Sequence, residues 1–90
     1  MRAAAQLAAQ ARVRFVPHSW SSAVNTAAAL AVFCSQPNGH VFELKPDPSP
    51  MQHELVSNPF ENENGYLAIR DDPGLGVEVD ESVLRAYELR

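Results

Sequence analysis

Arg14-Phe-Val-Pro-His18-Ser-Trp20, and the segment Val41-Phe-Glu43 that ends twenty-five positions after the histidine, decide how this chain folds. Each is a short apolar run of β type that ends on a group able to carry or share a proton. Between them lies one helix-length segment, residues 21–35, so the order is strand, helix, strand. That order makes neighbouring parallel strands with a right-handed crossover. His18 and Glu43 are therefore expected at the carboxyl ends of adjacent strands, the rim at which parallel α/β folds bind ligands and β/α barrels collect catalytic residues.

Working outward, residues 2–11 are mostly Ala, Gln and Leu and read as a helix. Residues 13–16 are β-rich and end at Pro17, which has no N–H to give a ladder. Ser19 or Ser21 can cap the next helix, whose positions Val24, Ala27, Ala28 and Ala31 follow the i, i+3, i+4, i+7 pattern. Leu30, Phe33 and Cys34 widen that apolar stripe, and a helix so rich in small apolar residues expects neighbours on more than one side. Pro37-Asn-Gly39 ends it, and residues 40–44 read as the second strand.

Beyond Glu43 the three alternate prolines of Lys45-Pro-Asp-Pro-Ser-Pro50 exclude a regular helix or a central strand, leaving a loop. Residues 51–56 suit either one helical turn or a short strand. Glu63-Asn-Gly65 is a turn signal, 66–69 a short strand, and Asp72-Pro-Gly-Leu-Gly76 a tight turn before 77–79. Asp71 and Asp72 read as turn residues. Asp80 suits the N-cap of a helix over 81–88. No internal repeat is present.

The words Val16-Pro-His18-Ser-Trp-Ser-Ser22, the Phe42-Glu43 strand end, and Asn58-Pro-Phe60 through Gly65-Tyr66 to Asp72-Pro-Gly-Leu-Gly-Val77 together resemble the carboxyl-terminal part of the mandelate racemase and muconate lactonizing branch of the enolase superfamily. The resemblance runs from the first helix to Tyr87, and the order and spacing of the motifs carry it. It implies a (β/α)8 TIM barrel and an enzyme that removes the proton next to a carboxylate: an isomerase, a cycloisomerase, or a lyase that dehydrates a sugar acid. It also implies Mg2+ held by three acidic residues from the middle strands to stabilise the enediolate, with a lysine from an earlier strand as the opposite base. Those segments are not in this sequence, so no cofactor is expected to bind these residues by themselves.

Length sets the scale of the expectation. A β/α barrel takes about 250 residues, and these 90 supply about two of its eight units. The expected fold class is thus an α/β fragment of the barrel. Residues 1–45 would form the partial barrel segment, and 46–90 a proline-rich loop and small β/helix tail packing on the barrel and capping domain. Charge divides the same way: residues 1–42 carry +3 and no acid, residues 43–90 carry −7, and the total is −4. An acid-free, arginine-bearing start can resemble a transit peptide, but it runs straight into the strand, so an outer barrel helix and a cytoplasmic protein are expected. The single Cys34 excludes an internal disulfide and suits a reducing compartment. No apolar run is long enough to cross a membrane, and no basic cluster points to nucleic acid.

His18 is the candidate catalytic residue. On spacing alone it reads as a loop histidine bonded to nearby backbone. The resemblance changes that reading, because the matching position carries the catalytic histidine, oriented there by an aspartate on the preceding strand. Glu43 is a candidate substrate contact: the resemblance implies a glutamate that donates to the substrate carboxylate as charge builds up, which requires it to hold its proton. The other reading is a solvated carboxylate paired with Lys45. Ser19 and Trp20 are candidate substrate-binding residues in the same mouth, and capping and packing explain them equally well. The spacings of His18, His40, His53 and Cys34 match no zinc pattern.

The expected function is a carboxyl-terminal fragment of a sugar-acid dehydratase or racemase, inactive alone, acting on a carboxylate substrate only within the whole enzyme. The alternative is a non-catalytic interaction or oligomerisation module that keeps the strand and helix unit. Either way, exposed sheet edges favour self-association or docking with a missing barrel half.

Overall fold

The computed structural model describes residues 1–47 and 49–89, so the expected proline loop falls partly outside them, at Pro48. Four helices are described: α1 (Arg2–Gln10), α2 (Ala23–Cys34), α3 (Pro50–His53) and α4 (Glu81–Ala86). The alanine-rich α1 buries only Ala5. It ends in a Schellman motif, with Val13 N–H bonded to the Ala8 carbonyl at 2.8 Å and Arg12 N–H to that of Ala9 at 3.0 Å. The left-handed residue this motif needs is Arg12, at φ 58°, where glycine would be free of strain.

The expected strands are corrected to isolated pairings. Phe15 bridges Gly39 and His18 bridges Glu43, both parallel, and neither segment extends into a regular strand. Two causes act together. Pro17 removes a donor between the two bridges, and the first segment advances three residues where the second advances four, so the register slips by one. Asn38 secures the pairing from the side, its Nδ2 donating to the carbonyls of Ala5 at 3.1 Å and Val13 at 3.0 Å. Gly39 is required there: a Cβ would stand 3.0 Å from both the Phe33 ring and the Phe33 carbonyl oxygen.

Ser22, not Ser19 or Ser21, caps α2, its side chain accepting from Asn25 N–H at 3.2 Å. The buried side of α2 also lies one position earlier than the apolar pattern suggests. Ala23, Thr26, Ala27 and Leu30 are buried, with Ala29 as well, whereas Val24 and Ala28 are half-buried and Ala31 is exposed. Cys34 is exposed rather than part of the buried stripe. The helix is apolar on all sides, so its composition does not phase it; the polar partners of Thr26 do. Alanine rather than larger side chains makes up most of this core, joined by Leu55 and Val56 beyond α3, which touches α2.

The tail is organised by pairing and by one arginine. Val56 bridges Val79 in antiparallel sense, with Ser57 N–H donating to Glu78 O at 3.0 Å and Asp80 N–H to Leu55 O at 2.8 Å. Arg70 lies over the Phe60 ring at 4.3 Å and donates to the carbonyls of Pro59 at 2.7 Å and Gly76 at 3.2 Å. Asn58 closes the same loop, donating to Gly76 O at 3.1 Å and accepting from Glu78 N–H at 3.2 Å. The short strand expected over 66–69 is absent: Tyr66 pairs only with Glu63 across the Asn64-Gly65 turn.

Asp80 caps α4 as expected, but the helix stops at Ala86. Its carboxyl is held below the usual carboxylate range, first by the Ser82 hydroxyl and then by the Val83 and Ser82 N–H groups. That contribution to α4 is present at neutral pH and lost as pH falls through the lowered value. Tyr87 then ties α4 back to α3, its hydroxyl donating to Glu54 Oε2 at 3.1 Å.

The chain is more open than a self-contained unit of its size. Its radius of gyration is 14.2 Å, against about 12 Å for a compact domain of this length. It exposes 6518 Å2, where a compact monomer of its mass exposes about 5,200 Å2. The excess of about 1,300 Å2 exceeds the roughly 800 Å2 that one partner buries in a standard interface.

Two outcomes are expected. Light scattering on the purified chain should show either association or an expanded particle; a compact monomer, protected from amide exchange throughout 66–79, would contradict the surface argument. Arg12→Gly should stabilise the end of α1 by about 0.5–1 kcal/mol, by relieving the left-handed strain. Slower exchange at the Val13 amide is the measurement, and faster exchange would mean the arginine side chain contributes more than its backbone costs.

Candidate functional site

Strand-helix-strand order brings His18 and Glu43 to one edge, and the parallel bridge between them sets the two residues side by side. Bridged residues on adjacent strands are about 4.8 Å apart and project to the same side of the sheet. Crossover helix α2 makes this possible, because parallel neighbours cannot be joined by a tight turn. His18 is exposed and Glu43 half-buried. The imidazole rests against the Trp20 indole, ring centroids 4.9 Å apart and planes inclined at 34°. No hydrogen bond to the His18 ring is made among the described residues, and the indole is the aromatic ring it packs against.

Trp20 keeps 41% of its surface exposed, which leaves it able to wall a mouth as well as to support the histidine. Ser19 is buried at 1% exposure. Its hydroxyl accepts from Asn25 Nδ2 at 2.9 Å and its carbonyl from Thr26 Oγ1 at 3.4 Å. Glu43 does not pair with Lys45: among the described residues the one ion pair is Arg85 with Glu81, on α4. Asn25, Thr26 and Gln52, which lie beneath this edge, were not indicated by the sequence. The available signal was Thr26 itself, a polar residue inside an apolar helical stripe.

A cavity of about 290 Å3 opens elsewhere, lined by Leu30, Phe33, Phe42, Leu44 and Tyr66 among others, and includes neither His18 nor Glu43. Cys34 and His40 border it. Among the described residues no three His, Cys, Asp or Glu side chains converge as metal ligands, and no helix is long and apolar enough to cross a membrane.

The chain is similar to known proteins over nearly its whole length. The family described as enolase C-terminal domain-like matches residues 1–83. The chain is 31% identical to a D-galactarolactone cycloisomerase of Agrobacterium fabrum over 94% of its own length and 25% of that protein's. It is 39% identical to a D-galactonate dehydratase family member of Streptomyces bingchenggensis over 97% of its length and 21% of the relative's. It thus spans about a quarter of the curated relatives it matches. Among solved structures, a candidate mandelate racemase of Bordetella bronchiseptica, complexed with 2-oxoglutarate/phosphate, superposes with a TM-score of 0.89 at 27% identity, over 98% of this chain and 24% of that one. A candidate L-alanine-DL-glutamate epimerase of Burkholderia xenovorans, bound to magnesium and fumarate, gives 0.84 at 26% identity over 94% and 21%. These neighbours are TIM-barrel enzymes of the enolase superfamily, and each covers nearly all of this chain.

Trp20, the sole tryptophan, makes the site measurable. Because the imidazole rests against the indole, His18→Ala should move the Trp20 emission maximum to longer wavelength as the indole gains contact with water. An unchanged emission maximum in His18→Ala would show that the two rings are not packed in solution.

Proposed function

The chain belongs to the enolase superfamily, in its mandelate racemase and muconate lactonizing branch, and we propose that it is a carboxyl-terminal segment of a sugar-acid dehydratase or racemase that takes the proton next to a carboxylate. The observation that carries the reading is the His18 and Glu43 pairing at one rim. In this reading 1–45 contribute about two of the barrel's eight units, and 46–90 pack on the barrel and the capping domain.

The roles follow from the groups. His18 exchanges a proton with the α-carbon of the substrate or hands one to a departing hydroxyl, and its exposed ring can reach either. Glu43, half-buried beside it, donates a hydrogen bond to the substrate carboxylate as negative charge moves onto it. Trp20 walls the mouth, and Ser19 shapes it from below. Removing a proton from carbon next to a carboxylate needs strong stabilisation of the resulting charge. In this reading the magnesium that supplies it is held by acidic residues of other barrel strands, so these 90 residues hold part of an active site and turn over substrate only together with the rest of the barrel.

The test has two arms. The purified 90-residue chain should not catalyse α-proton exchange of a sugar acid into deuterated solvent, with or without magnesium. Supplied with the rest of a barrel, in cis or as a separate polypeptide, it should turn over, and His18→Asn should then lower kcat by at least about 10²-fold, the usual scale of acid/base catalysis. A loss below about tenfold would return His18 to the role of a loop histidine.

A further inference from the structure

Beneath the rim, a line of buried polar side chains connects α3 to the histidine. Ser19, next to His18 in sequence, is held by α2 through both its hydroxyl and its carbonyl. Thr26, itself 1% exposed, also lies 3.3 Å from Oε1 of Gln52, which is 7% exposed. A hydroxyl has one proton, so Thr26 cannot donate to the Ser19 carbonyl and to Gln52 Oε1 at once. At the same time Gln52 Nε2 is buried without a partner. Turning the amide over relieves the conflict: Nε2 donates to Thr26 Oγ1, and the Thr26 proton goes to the Ser19 carbonyl.

We propose that Thr26 and Gln52 are positioning residues for His18, fixing through the Ser19 carbonyl the backbone from which the imidazole projects. The proposal rests on the reading of His18 as acid or base. The ring makes no hydrogen bond of its own among the described residues, so its direction is set through the main chain on both sides. On one side is the bridge to Glu43, and on the other is clamped Ser19. Proton transfer tolerates little misplacement, which gives such a clamp a purpose that packing does not. A leucine at position 52 and a valine at position 26 would fill the same space but leave the buried Ser19 carbonyl without its donor.

The relay is tested in the 90-residue chain by nuclear Overhauser contacts between the His18 and Trp20 rings, with those between Phe33 and Phe42 reporting the rest of the fold. Those two phenylalanines pack edge to face at 5.6 Å, at the other end of α2. Thr26→Val and Gln52→Leu should each lose the His18 to Trp20 contact and keep the Phe33 to Phe42 contact. Thr26→Ser, which restores the hydroxyl, should keep both. Retention of the His18 to Trp20 contact in Thr26→Val and Gln52→Leu overturns the proposal, as does its absence from the wild-type chain. Loss of both contacts together, in Gln52→Leu as well as Thr26→Val, makes the line a part of the core alone and overturns it too. Turnover is not the readout, so the role of His18 in catalysis can fail by the separate assay without touching this result.

Discussion

The parallel pairing of the segments around His18 and Glu43 fixes which way every other element faces, and it does so with little hydrogen bonding of its own. Phe15 N–H donates to the Asn38 carbonyl at 2.9 Å, and Pro17 can donate nothing. What holds the segments in register is their surroundings. Asn38 ties the middle of α1, at Ala5, to the first segment, at Val13, Gly39 lets the second start against Phe33, and α2 spans the two. A pairing this short has small intrinsic stability, so the helix that connects the segments is a structural requirement for the site as well as a covalent link.

That dependence explains the pattern of exposure. Val13, Val16 and Val41 flank the pairing and keep about half their surface in contact with solvent. In a closed barrel such positions have strands or helices on both sides. The buried residues are largely alanines, which contribute little apolar area each, while larger apolar side chains face outward. The fold is therefore arranged around contacts that these residues do not supply to one another. The excess surface and the large radius of gyration are two measures of that one fact.

Helices α1, α2 and α4 and the adjacency of His18 and Glu43 were legible in the sequence, because propensity, capping and element order decide them, whereas at α3 the residues suited a helical turn and a short strand equally. The extent of the strands was not: a β-rich run counts as a strand only when a partner accepts its whole ladder, and Pro17 and the register slip prevent that. Three serines in four positions before α2 left its cap ambiguous until backbone geometry chose Ser22. Thr26 and Gln52 were not legible as a pair, because a helix apolar on all sides has no phase to place Thr26 and the four residues of α3 are too few to place Gln52. Only the fold shows that each has a buried polar neighbour.

The tail gives the family resemblance much of its specificity, yet its motif is architectural. Pro59, Phe60 and Gly76 are the residues that receive Arg70, Asn58 binds the same Gly76 carbonyl, and Gly76 has no room for a side chain, since a Cβ would stand 3.0 Å from the Arg70 Cβ. This cluster keeps the loop folded where Ser57 and Glu78 pair, and the pairing continues to Asp80 and Leu55. Leu55 lies two residues after α3, and α3 carries Gln52. The words that identify the chain thus hold in place the helix that reaches under the rim, while the residues suited to chemistry are few and sit elsewhere. Recognition and reactivity are carried by different parts of one short chain, joined through α3.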